Sequence, residues 1–213
     1  MSRASRTRAA AAATALAAAA ALACATPWLG FHSEVSGTWR LVPAESAIHF
    51  VGIKNDAVGV PGSFSSLEGA FDSAKRSGFV EVKLGSAETG NATRDDNIRS
   101  AFFQVAQFPV ARFEVAGLPA ADTLPAPGAS ARVDLSGTLS LHGVSAALKI
   151  PATVFRDAQN HFHVRNAAPV VLTAKDFGMD AQLAALKALC GHESLSGAIP
   201  VDLDLAFAPV TVD

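Results

Sequence analysis

The 213-residue sequence predicts a mainly β fold, an antiparallel barrel of about eight strands with two short helices. Three observations lead there. Apolar residues recur at every second position in segment after segment, so each strand has one wet and one dry face, as in antiparallel rather than doubly covered parallel sheet. The period changes to that of a helix in two places. Roughly 185 residues remain after the leader, enough for one domain of this kind, and seven or eight strands in one sheet hide their edges best by closing.

The leader comes first. Arg3, Arg6 and Arg8 precede an almost unbroken alanine and leucine run from Ala9 to Ala23, the n-region and h-region of a secretory signal peptide over residues 1–25. That run is about 15 residues, short of the ~20 a spanning helix needs, and no other stretch is apolar enough to cross a bilayer. The expected product is exported, and soluble or anchored at its N-terminus. Two processing sites fit. Ala23-Cys24-Ala25 suits cleavage before Thr26, while Ala21-Leu22-Ala23-Cys24 resembles a bacterial lipobox that would place a lipid anchor on Cys24. Residues 26–36 then read as a linker and residues 37–210 as the barrel domain.

Loss of the three arginines takes the formal charge from −2 to −5, which argues against a nucleic-acid partner. It also leaves Cys190 as the only thiol of an unlipidated chain, so an intramolecular disulfide is excluded. On the apolar face of its helix Cys190 reads as a small buried hydrophobe, with a redox or dimerising thiol, and with it a homodimer, as the alternative.

Along the chain, Ile48 and Phe50 alternate with His49, and Val80, Val82 and Leu84 with Glu81 and Lys83. The first helix follows. Thr93 is its expected N-cap, Asp95 and Asp96 place negative charge in its first turn, and Ile98, Phe102, Val105 and Ala106 recur at helical spacing up to Phe108-Pro109. Ala111, Phe113 and Val115 then alternate with Arg112 and Glu114, and a loop runs from Gly117 to Ser130. In the next strand Val133, Leu135, Leu139 and Leu141 face one way; Gly143 permits a tight turn; Ala146, Leu148 and Ile150 return. A second helix is expected with Asp180 as N-cap, Leu183, Leu186 and Cys190 on one face, and Gly191 as its left-handed stop. Ile199, Val201, Leu203, Leu205 and Phe207 form the last dry face.

An eight-stranded barrel is just wide enough to fill with side chains or to hold one small ligand. Thirteen phenylalanines and no tyrosine supply aromatic surface without a hydroxyl that needs a partner when buried. Gly137, Ala111 and Ala146 interrupt the apolar rows, which leaves room inside. The opposing reading, a solid core of interlocked phenylalanines, is open on these grounds.

Several stretches carry a resemblance. "GTWRLVPAESAIHFVGIKN", "LEGAF", "TGNATRDDNIRSAFFQVAQFPVARFEV", "LSGTLSLHGVSAALKIP" and "DFGM" are similar in order and spacing to the YceI-like lipid-binding domain of bacteria, from about Gly37 to Phe207. The resemblance implies a lipocalin-like antiparallel barrel, periplasmic, whose lumen holds a polyisoprenoid or another amphiphilic chain. It implies no catalytic residues and no cofactor beyond that lipid. The lumen residues chosen by alternation and size are Ile48, Phe50, Phe64, Phe71, Phe102, Phe103, Phe113, Leu139, Leu141 and Phe177. Burying a hydrocarbon tail there recovers roughly 25 cal/mol per Å², enough for micromolar binding from a few isoprene units after the entropy of association. The first helix becomes a lid, with Ile98, Phe102 and Phe103 facing inward and Asp95, Asp96 and Arg99 facing water.

Two other classes compete. His161 and His163 share a strand face, and Cys190, His192 and Glu193 cluster at a helix end, so a metal- or haem-associated redox protein is the alternative. No Cys-x-x-Cys-His haem motif supports it. Catalysis finds little support: Asp134 and Ser140 stand roughly 20 Å apart on one strand, and neither a phosphate loop nor a nucleophile elbow is present.

Overall fold

The computed structural model describes residues 37–210, so the leader, Cys24 and the linker lie outside the described residues. Twelve strands alternate with two helices: β1 (Thr38–Leu41), β2 (Ala47–Lys54), β3 (Val58–Phe64), β4 (Leu67–Asp72), β5 (Ser77–Lys83), β6 (Ala87–Glu88), α1 (Ala92–Asn97), β7 (Val110–Ala116), β8 (Ser130–Leu141), β9 (Val144–Arg156), β10 (Phe162–Asn166), β11 (Val170–Thr173), α2 (Asp180–Leu189) and β12 (Ala198–Pro209). Every pairing between them is antiparallel.

The twelve strands make eight staves. β1 and β2 lie end to end along one edge of β12, with Leu41 opposite Phe207 and Ala47 opposite Asp204. The single turn Pro43–Glu45 separates them, because proline cannot donate to the ladder. β10 and β11 share the other edge of β12 in the same manner. β3 and β4 continue each other beside β2 and β1, and β5 and β6 continue each other beside β4 and β3. With β7, β8, β9 and β12 as the remaining staves, the sheet returns from β12 to β1 and closes as the expected barrel. Closure removes the end strands of an open sheet, although residues 58–62 of β3 and the whole of β11 keep one edge without a strand partner among the described residues.

Local sequence explains the joints. β8 and β9 meet at a two-residue loop in which His142 (φ 52°) and Gly143 (φ 78°) both adopt left-handed backbone, the turn whose twist suits a hairpin. Gly191 (φ 63°) ends α2 as expected. Asp180, however, is the first residue of α2 and makes no cap; Met179 holds the cap position, buried at 1 % exposure, its burial outweighing the missing hydrogen bond.

The first helix also departs from expectation. Its N-cap is Asn91, not Thr93: Asn91 Oδ1 accepts from the Arg94 N–H at 3.0 Å. Nor does the helix reach Phe108. After Asn97 the chain widens into a π-type turn over Ile98–Phe102, in which the Phe103 N–H donates to the Ile98 carbonyl, and Gln104 (φ 50°) leaves the helix. Asp95 does not face water. It is 5 % exposed and accepts from both the backbone N–H and the hydroxyl of Thr89, which ties α1 to the end of β6. Arg99 is half-buried, one Nη donating to the Ala87 carbonyl at 2.7 Å.

Two apolar clusters occupy opposite ends of the barrel. At one end Trp39, Leu41, Leu67, Val154, Phe162, Leu205 and Phe207 form a floor. At the other, Ile98, Phe102, Leu139, Ala174, Phe177, Met179 and Leu186 seat the helices on the staves. Gly137 does not open space between them. A Cβ there would come within 2.7 Å of the Phe113 ring, so that ring already fills the place of the missing side chain.

Candidate functional site

Between the floor and the helical end lies a cavity of about 330 Å³, walled almost wholly by apolar atoms. The pleat builds it. On each stave alternate residues point inward, and the inward rows Ile48-Phe50-Gly52, Val80-Val82-Leu84, Ala111-Phe113-Val115, Val133-Leu135 and Val201-Leu203-Leu205 all border the space. Outward residues pair with one another, as in Lys149 with Asp134 at 2.8 Å and Arg165 with Asp204 at 2.7 Å.

All ten side chains chosen from the sequence border the cavity. Ile48, Phe50, Phe64 and Phe71 come from β2, β3 and β4, and Phe113, Leu139 and Leu141 from β7 and β8. Phe102 and Phe103 enter from the π-type turn, and Phe177 from the turn that precedes α2. Phe102 is buried at 6 % exposure, whereas Phe103 is half-buried, its ring 5.9 Å from that of Phe64 and 5.0 Å from that of Phe102. The wider turn lets two neighbouring residues both reach inward.

Sequence reasoning omitted Val80, Val82, Leu203 and Leu205 from the lumen, although their alternation was visible. It also missed Lys54, Arg94 and His192, the basic members of the lining. For Lys54 a signal existed: it follows Ile48, Phe50 and Gly52 at the inward parity of β2.

The His161 and His163 rings are engaged by a carboxylate. His163 Nε2 lies 3.2 Å and His161 Nδ1 3.8 Å from the Asp157 carboxylate at the β9–β10 turn. Among the described residues no group of three or more His, Cys, Asp or Glu side chains is arranged to hold a metal ion, so the metal-associated alternative gains no site. Cys190 is half-buried and its Sγ accepts from Asn97 Nδ2 at 3.8 Å. Ser140 shares a hydrogen bond with Ser145, and His142 with Gln104.

Burial opposes ionisation of Asp157, but hydrogen bonds from the His161 N–H and the His163 ring, the His161 charge and the Gln159 N–H outweigh it and hold the carboxyl below its ordinary value. A depressed folded-state pKa contributes stability that is present above the unfolded value, about 3.9, and is lost as pH falls through the folded one. Denaturation midpoints measured from pH 6 to pH 2 are expected to fall less steeply below about pH 4 in Asp157→Asn than in the parent. Equal slopes would show that Asp157 carries no such linkage.

A closed up-and-down barrel of eight staves around an apolar chamber, with one end floored by aromatics and the other covered by helices, places the chain among the small lipocalin-like barrels. The chain belongs to the YceI-like family, whose domain model matches residues 39–207. A polyisoprenoid binding domain from Saccharophagus degradans, implicated in plant cell wall breakdown, is similar at 28% identity and TM-score 0.76, over 81% of this chain and 98% of that one. BcnA of Burkholderia cenocepacia shares the fold at 16% identity and TM-score 0.59, over 78% of this chain and 98% of that one. The YceI protein of Campylobacter jejuni does so at 20% identity and TM-score 0.52, over 73% and 87%. No curated protein matches the chain.

Proposed function

We propose that this protein is an exported, periplasmic binding protein that holds the hydrocarbon tail of a polyisoprenoid or similar amphiphilic lipid in its barrel, and that it is not an enzyme. The carrying observation is the apolar cavity of about 330 Å³, at the lower end of the ~300–1,000 Å³ range of ligand pockets. Cavities lined by leucine, isoleucine and phenylalanine stay dry and accept apolar guests, since water finds no partners in them. A flexible chain gains contact with every wall it touches, and shape rather than polar recognition selects it. The polyisoprenoid binding domain of S. degradans supports this ligand class.

The test is native mass spectrometry of the mature protein purified from its own envelope. A co-purified hydrocarbon chain is the expected result. A protein that leaves the envelope empty and takes up no farnesol when offered it would overturn the reading. The same spectra test export: the chain is expected to begin at Thr26 or at a lipidated Cys24, and retention of residues 1–25 would refute it.

A further inference from the structure

The chamber is apolar except at its helical end, where three basic groups converge. Lys54 closes the inward row of β2, Arg94 stands on α1, and His192 follows α2; all three are half-buried and border the cavity. Long-range contacts hold these segments together. Lys54 bridges to Leu195, the Ser196 N–H donates to the Ile53 carbonyl at 2.8 Å, and Asn97 joins α1 to Cys190. Burial, and then the charges of Lys54 and Arg94, push the His192 imidazole below its ordinary value.

Among the described residues, no carboxylate makes direct contact with any of the three. Lys83, Arg112, Lys149 and Arg165 each have a carboxylate within 3 Å, but none of Lys54, Arg94 and His192 has one within 4.0 Å among the described residues. Of the nearby acids, Asp95 reaches Arg94 only through the Thr89 hydroxyl, Asp56 accepts from Ser194, and Glu193 is exposed. Arg94 uses its Nε and one Nη on Thr89, at 2.7 and 2.8 Å, which orients the guanidinium and leaves its other Nη free among the described residues. Two permanent cations and an imidazole gathered beside an apolar space repel one another, and an anion is the group that relieves them.

We propose that the lipid held here carries an oxyanion head, a phosphate or a carboxylate, gripped by Lys54, Arg94 and His192 while its tail runs toward the aromatic floor. A guanidinium offers paired donors to such oxygens and an ammonium adds a point charge. The proposal rests on the lumen reading and names its ligand class.

Calorimetric titration of the mature protein at low salt compares farnesyl phosphate with farnesol, oleate with oleyl alcohol, and inorganic phosphate alone. An anionic lipid is expected to bind roughly tenfold or more tightly than its alcohol, and the pair with the larger gain identifies the head. Lys54→Gln combined with His192→Gln is expected to erase that preference, whereas Lys149→Gln, on the outer face, keeps it. Equal affinity for acid and alcohol overturns the head-group site and leaves the lumen standing. Inorganic phosphate binding as tightly as farnesyl phosphate overturns it in favour of an anion site separate from the chamber. Failure of every chain to bind takes the lumen reading down as well.

Discussion

Trp39→Ala is expected to lower the free energy of unfolding by about 3–5 kcal/mol, read as a shift of the urea midpoint at constant slope. Trp39 is 2 % exposed at the closed end of the barrel. Its face stacks on Phe71 with centroids 4.9 Å apart and planes within 3°, and it meets Phe162 edge to face at 5.4 Å. Its indole Nε1 donates to the Asn160 carbonyl at 3.1 Å, which ties the β9–β10 turn to the floor. Truncation therefore leaves both a void and an unpaired carbonyl, and the rings of Phe71, Phe162 and Phe207 lose the plate they lean on. Trp39→Phe keeps most of the packing and drops the hydrogen bond; it is expected to cost less, with about 1 kcal/mol from the bond itself. A Trp39→Ala protein as stable as the parent would show that the floor is carried by the other aromatics.

Phe102→Ala and Phe103→Ala are expected to separate stability from retention. Phe102 belongs to the core that joins the π-type turn to Leu139, Phe177, Met179 and Leu186, so its loss is expected to cost about 3–5 kcal/mol of folding free energy. Phe103 is only half-buried and faces the chamber, so its removal takes less from the fold and more from any chain lying against it. Roughly 1.4 kcal/mol of lost apolar contact would weaken chain binding about tenfold. Thermal melts of both variants, set beside the dissociation rate of a loaded farnesol, give the two readouts. Were Phe103→Ala to lose stability while holding its ligand as firmly as the parent, the turn would be a plug and not a lid.

The separation of these neighbours also shows how far the sequence could be read. Both phenylalanines were visible as inward-facing, because helical spacing from Ile98 assigns Phe102 and their adjacency suggests the pair. Their different burial was not visible. It follows from the π-type turn, which no composition rule announces, and from α2 folding back to cover Phe102. Asp95 is a comparable case: an acid in a first helical turn suits the dipole and reads as solvated, yet here the backbone of Thr89 reaches it and makes it a buried acceptor. The glycine in the Val133 to Leu141 row read as a gap, and Phe113 from the neighbouring stave fills it.

By itself the sequence determined the parity of the strands, the closure they require, the turn at His142-Gly143 and the stop at Gly191. Each of these depends on backbone geometry over a few residues, and that geometry repeats wherever the pattern does. Only the tertiary structure decided that twelve strands join into eight staves, that two clusters leave a chamber between them, and that Lys54, Arg94 and His192 meet at its rim. Those outcomes depend on which distant segments come to share a wall, and the free energy of that sharing lies in contacts that no single stretch of chain contains.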